Sequence, residues 1–123
     1  MTPNPVNWFE IYVQDMDRAR AFYEAVFETT LEKLPNLELE MWTFPMATDN
    51  YGAGGALVKM DGVEPTQGST MVYFRCEDCA VQEARAAESG GRVMRPKMSI
   101  GEYGFISLIY DSEGTLLGLH SEK

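Results

Sequence analysis

The sequence predicts an α+β domain made of two tandem βαβββ modules, with curled mixed sheets arranged around a shared cleft. Three observations carry this reading. A strand, an Asp cap and a helix follow one another from Val6 to Phe27. The same order returns in degraded form from Met71 to Ser89, with Asp78 lying 63 residues after Asp15. Each copy is followed by three short β-type runs, and one helix is too little cover for both faces of four strands. The uncovered faces are therefore expected to turn toward each other.

Residues 1–5 hold two prolines and read as a lead-in. Val6 to Val13 alternates as a strand does, with Trp8, Glu10 and Tyr12 on one face and Phe9, Ile11 and Val13 on the other. Asp15 is placed to cap a helix, because its short carboxylate accepts from the free N–H groups of a first turn. Met16, Ala19, Phe22, Tyr23, Val26 and Phe27 recur at three- and four-residue intervals and form the apolar side of that helix. Glu28 stands where the second copy has Gly91. Thr29 to Leu34 reads as a short strand ended by Pro35, and Leu37 to Phe44 as a third strand ended by Pro45. Met46 to Ala53 is a loop. Gly54 to Met60 is the fourth strand, and its opening glycines suit a bulge or the close approach of a ligand.

The polar run Asp61 to Gly68 joins the halves, so module 1 spans about 6–60, the linker 61–68 and module 2 about 69–121. The second half repeats the order with strands at Thr70 to Cys76, Arg92 to Pro96, Tyr103 to Tyr110 and Leu116 to Ser121. Gly90-Gly91 closes its helix where a positive φ is needed, and Asp111 to Gly114 turns the chain between the last two strands.

At 123 residues the chain is the size of one domain, long enough to bury roughly two-thirds of its unfolded surface. Two modules of half that size are marginal alone, so a common core is expected. The net charge of −9, from 19 acidic and 10 basic residues, opposes a nucleic-acid partner and favours solubility or a cationic ligand. No apolar run approaches the roughly 20 residues of a membrane helix, and no leader opens the chain. The expectation is a cytoplasmic protein with no membrane contact. Cys76 and Cys79 form a C-x-x-C, but Glu77 and Asp78 between them oppose thiolate formation. Zinc would need a second pair of ligands. Two reduced structural thiols are expected.

The stretches VQDMDRARAFYEAVF, AESGGRV and DSEGTLLGLHS, set in this repeat, resemble the vicinal oxygen chelate superfamily of glyoxalase, bleomycin-resistance and extradiol dioxygenase proteins. The resemblance runs from about Val6 to Ser121. It implies a glyoxalase/bleomycin-resistance-like fold, a small-molecule ligand and a homodimer. Metal-holding members place a His or Glu seven residues before each helix-capping Asp and a carboxylate seven after the Asp of the final turn. Counting in this sequence reaches Trp8, Met71 and Gly118. Indole and glycine supply no side-chain ligand, and a thioether suits soft copper. A two-residue shift in register would bring Glu10, Tyr73 and His120. The chain has one histidine, which excludes a two-His-one-carboxylate site within one subunit. The family's metal site is therefore read as lost and no cofactor is expected; a divalent metal is the alternative.

The residues sharing a face with those positions are Trp8, Glu10 and Tyr12, then Met71, Tyr73 and Arg75, then Leu116, Gly118 and His120. Aromatic and Met walls with a few polar groups are how small-molecule sites are built. Glu10, set between two aromatics and partly desolvated, is the candidate general acid or base, and His120 a candidate proton shuttle. Three functions compete on these residues. The first is metal-independent small-molecule binding. The second is a lyase or isomerase in which Glu10 moves a proton on a carbonyl compound. The third is sequestration of a cationic drug.

Overall fold

A computed structural model describes residues 4–35, 38–47, 49, 52–60 and 70–123. The chain divides into two compact units, one spanning Trp8–Thr70 and the other Met71–Lys123 with the residues before Trp8. The joint at Asp61 to Gly68 lies outside the described residues, as does Leu37 at the start of the expected third strand.

The N-terminal unit holds β1 (Val6–Tyr12) from Trp8 onward, α1 (Met16–Phe27), β2 (Glu32–Lys33), β3 (Glu40–Thr43) and β4 (Gly54–Lys59). Its strands lie in the order β2-β3-β4-β1, with β1 and β4 parallel and the other pairs antiparallel. Asp15 caps α1 as its sequence position demands, its Oδ1 accepting from Arg18 N at 3.0 Å. The helix lays Met16, Ala19 and Tyr23 on Ile11, Val13, Leu31, Leu57, Trp42 and Phe44. Tyr23 and Phe44 meet edge to face at 5.9 Å, a favoured aromatic geometry. This core occupies one side of the sheet. Trp8, Glu10 and Tyr12 take the other, because strand side chains alternate.

The C-terminal unit holds β5 (Thr70–Arg75), α2 (Cys79–Glu88), β6 (Arg92–Ser99), a 3-10 turn at Gly101–Tyr103, β7 (Phe105–Tyr110) and β8 (Leu116–Ser121). Its order is β5-β8-β7-β6, with β5 and β8 parallel and the hairpins antiparallel. Asp78 caps α2 through Ala80 N at 3.0 Å. The helix covers Phe74, Phe105, Ile109, Leu117 and Leu119, and Cys79 is fully buried among them. Both cysteines are free thiols, and burial above all holds Cys76 above its usual pKa. Gly90 ends the helix at φ +93, in the left-handed region that glycine enters without penalty.

Several boundaries differ from the sequence reading: β2 is shortened to Glu32–Lys33, β3 begins only at Glu40, and the limits of β6 and β7 move as well. β6 continues to Ser99, three residues beyond Pro96. It is the outermost strand of its four, where a missing N–H leaves no ladder partner unpaired. Its pairing with β7 also shifts register twice, between Val93 and Arg95 and between Arg95 and Met98. These bulges are held from beneath. Ser107 Oγ, fully buried, contacts Arg95 O at 3.1 Å and Glu83 Oε1 at 2.8 Å, and Lys97 N donates to the same Glu83 oxygen at 2.6 Å. β7 starts at Phe105 because the preceding residues spend themselves on the 3-10 turn.

Glu28 ends α1 in the left-handed conformation at φ 50, the one non-glycine residue at positive φ among those described. Replacing it with glycine relieves that strain. Glu28→Gly is expected to raise unfolding free energy by roughly 0.5–1 kcal/mol in a urea titration; an unchanged or lower midpoint would contradict the strain.

Asp78 Oδ1 also takes a 2.8 Å ion pair from Lys97 Nζ. The Lys97 hydrogen bond, then that from Ala80 N–H, holds the Asp78 carboxyl below its usual 3.8, and the same bond holds Lys97 above 10.5. The depressed carboxyl adds stability that is complete above pH 3.8 and disappears as pH falls through the lower folded value. The raised ammonium adds stability that is complete below pH 10.5 and disappears above it. Asp78→Asn keeps the cap and removes the charge. The stability gap between wild type and this variant should be widest between those limits and close in stronger acid; a pH-independent gap would show that the pair contributes nothing.

Candidate functional site

The nine candidate residues divide between the two units. Trp8, Glu10 and Tyr12 belong to the N-terminal unit, and Met71, Tyr73, Arg75, Leu116, Gly118 and His120 to the C-terminal unit.

Within the first group the structure assembles a triad along one strand. Glu10 is 6% exposed. Trp8 Nε1 donates to its Oε2 at 3.1 Å, and Tyr12 OH donates to its Oε1 at 2.8 Å. Residues two apart on a strand share a face, so both aromatics lean toward the carboxylate between them. The neighbouring strand gives the triad room: Trp8 faces Gly54, Glu10 faces Ala56 and Tyr12 faces Val58. A Cβ at Gly54 would meet Met46 Sδ at 2.6 Å, so glycine there admits a thioether beside Trp8. Burial pushes the Tyr12 pKa well up, and the charge of Glu10 and the hydrogen bond to it push the same way. Tyr12 therefore keeps its proton and donates it. The assembly is a buried carboxylate oriented by two fixed donors, in the form from which a general base or an acceptor for a ligand's N–H or O–H is built.

In the second group Tyr73 pairs with Gly118 and Arg75 with His120 across β5 and β8. Tyr73 is 7% exposed, and any Cβ at Gly118 would collide with its ring. Met71 is buried beside it on the chain, and Arg75 is exposed at the strand end, its N–H donating to Pro5 O at 2.8 Å. His120 is held at both ring nitrogens. Its Nε2 lies 2.6 Å from Tyr103 O and its Nδ1 3.3 Å from Asn7 Nδ2. A carbonyl accepts only, so Nε2 carries the proton and Nδ1 accepts from the Asn7 amide. His120 thus ties β8 to the 3-10 turn and to Asn7 of the same unit.

Sequence reasoning missed Asn7 and Tyr103, which enter through a side-chain amide and a backbone carbonyl and carry no sequence signal. It also missed that Arg92 and Arg95 share the face of Tyr73 and His120. Odd spacing on a regular strand would part them; a proline inside the strand was the available sign of irregularity.

The residues present do not fit the divalent metal of this fold. Trp8 spends its N–H on Glu10, Met71 is buried, and Gly118 lies under the Tyr73 ring. Among the described residues no three His, Cys, Asp or Glu side chains come together as a metal site. A depression of about 340 Å³ at the start of α1 is lined by Gln14, Asp15, Met16, Asp17, Glu40 and Lys59. Glu40 and Lys59 share the helix-covered face with Trp42 and Leu57, so it does not contain Glu10. No helix among the described residues is long and apolar enough to cross a membrane.

The profile of the Glyoxalase/Bleomycin resistance protein/Dioxygenase superfamily matches residues 6–119. A Mycobacterium bovis protein with the provisional glyoxylase name CFP32 is 28% identical over 118 residues, covering 92% of this chain and 44% of that protein. The chain thus spans less than half the length of this curated relative. Among solved structures, methylmalonyl-CoA epimerase from Mycobacterium tuberculosis matches with TM-score 0.70 at 16% identity, covering 97% of this chain and 88% of that one. A methylmalonyl-CoA epimerase in complex with methylmalonyl-CoA and ammonium matches with TM-score 0.68 at 17% identity, covering 98% and 95%. At such identities the structural likeness speaks for the fold, and the profile match over nearly the whole chain speaks for the family. This chain belongs to the glyoxalase/bleomycin-resistance protein/dioxygenase superfamily.

Proposed function

We propose that this chain binds a small organic molecule against the Trp8–Glu10–Tyr12 face, as a homodimer and without the family's metal. The observation that carries the reading is the Glu10 carboxylate, buried yet held at both oxygens by Trp8 and Tyr12. Burying a carboxylate is costly unless it is hydrogen-bonded. Two aromatic donors on the same strand supply those bonds and at the same time form apolar walls. Support comes also from the epimerase of like fold whose structure contains methylmalonyl-CoA. The metal-free part of the reading rests on the donor set: indole, thioether and glycine at the three counted positions.

A second reading is favoured by the 2.8 Å Tyr12–Glu10 bond. A carboxylate fixed in direction and paired with a hydroxyl is placed to move a proton at carbon next to a carbonyl, as a lyase or isomerase does. In that reading Glu10 is the acid or base and Tyr12 orients it. His120, engaged at both nitrogens, serves the fold.

Elemental analysis of freshly purified, untagged protein is expected to find no stoichiometric zinc, nickel, cobalt or iron; one divalent ion per chain would overturn the metal-free reading. The second reading is tested by deuterium exchange at the α-carbon of methylmalonyl-CoA in heavy water. Exchange that drops about 10²- to 10⁴-fold in Glu10→Gln, with an unchanged melting temperature, supports acid–base work by Glu10. Exchange that persists in the variant removes Glu10 as the base, and no exchange in wild type leaves binding alone.

A further inference from the structure

We infer that the C-terminal unit carries its own binding surface for an organic anion, with Arg92 and Arg95 as the acid-gripping pair. The inference goes beyond the Glu10 reading and uses none of its contacts.

It rests first on the two bulges of β6. In a regular strand residues 92 and 95 point to opposite faces. Here Arg92 stands opposite Tyr110, Arg95 opposite Leu108 and Met98 opposite Ile106, so three-residue steps on β6 match two-residue steps on β7. Each extra residue flips the parity once. The result places both guanidiniums on the sheet face turned away from α2. Bulges of this kind re-aim side chains beside functional sites, and this pair is anchored by two buried polar groups. Ser107 and Glu83 hold the backbone at Arg95 and Lys97 through bonds of 2.6 to 3.1 Å. A buried serine and a partly buried carboxylate spent on shaping an outer strand have no other evident task in the unit.

The second observation is the charge of that face. Its basic members on β5, β6 and β8 are Arg75, Arg92, Arg95 and His120, and none of its positions on the four strands is a carboxylate. This holds in a chain with 19 acidic residues. Neither Arg92 nor Arg95 forms an ion pair with any described residue, whereas Arg20, Lys97 and Lys123 do. Arg92 instead lies over the Tyr110 ring at 4.2 Å, and Arg95 Nη1 meets Met98 Sδ at 3.5 Å. Each guanidinium is steadied by a soft, uncharged neighbour, and no described carboxylate pairs with it. Between them and β8 lie Leu108 and Ile106 of β7, an apolar floor.

Guanidinium groups grip carboxylate and phosphate through paired N–H donors. The chemistry that fits is an apolar body of a few carbons lying on Leu108 and Ile106, with its acid group at Arg92 and Arg95.

Isothermal titration of the full chain with sodium hexanoate and with hexyl phosphate, mapped by backbone amide NMR, tests this. At least one of the two is expected to bind and to shift the amides of β6 and β7. Its affinity should fall about tenfold or more in the Arg92→Gln, Arg95→Gln double variant, and hexylamine should not bind there. Both arginines are exposed, so the variant is expected to keep its fold, which circular dichroism checks. Failure of both anions to bind, equal affinity in the double variant, or equal binding of hexylamine would overturn the inference. Repeating the titration in Glu10→Gln keeps the two claims apart, because anion binding here is expected to be unchanged by that substitution.

Discussion

Among the described residues each unit has one α-helix for four strands, and most of its architecture follows from that shortage. A helix covers one sheet face, so the apolar residues that drive folding gather there. Val13, Met16, Leu31 and Leu57 do so under α1, and Cys79, Ile109 and Leu119 under α2. Each fully buried aliphatic side chain of this kind stabilises the fold by about 1.5–3 kcal/mol. The two Asp caps set where each helix begins, and thereby which strand residues it reaches. The opposite faces are released from packing a helix and hold nearly all the chemistry: a carboxylate between aromatics on one, arginines and a histidine on the other.

Positions 54 and 118 show how such a face is packed, each glycine being matched to the side chain beside it. Glycine at 118 gives the Tyr73 ring a place to lie, and the ring in turn bars any side chain from 118. Trp8 turns its polar edge to Glu10, and glycine at 54 opposite it leaves room for the Met46 thioether. Filling with aromatic rings restores apolar contact where a bare polar cavity would be poorly packed. A side chain introduced at 118 would therefore meet steric resistance from Tyr73.

Buried polar groups elsewhere are used as mechanical ties. Glu24 takes Leu31 N, Ser121 takes Cys79 N, and Glu83 takes both Ser107 and Lys97. Each ties a helix to a strand or loop, and such a bond contributes roughly 0.5–1.5 kcal/mol between neutral groups and roughly 1.5–3 kcal/mol where one group is charged. The Glu83–Ser107 tie has the widest effect, because it sets the irregular path of β6 and with it the direction of two arginines.

The repeat, both helix caps, the α+β class and the faces of β1 were legible in the sequence. They depend on period and on capping chemistry, which act over a few residues: the alternation of Trp8, Glu10 and Tyr12 and the position of Asp15 are enough. That Glu10 is bonded by its own strand neighbours, that His120 is tied to Asn7 and Tyr103, and that Arg92 and Arg95 share a face came only with the tertiary structure. Asn7 and His120 are 113 residues apart, and the bulges that turn Arg95 exist only in pairing with β7. A strand's own residues determine its alternation; its register, and so the direction in which each side chain finally points, is decided by the strand beside it.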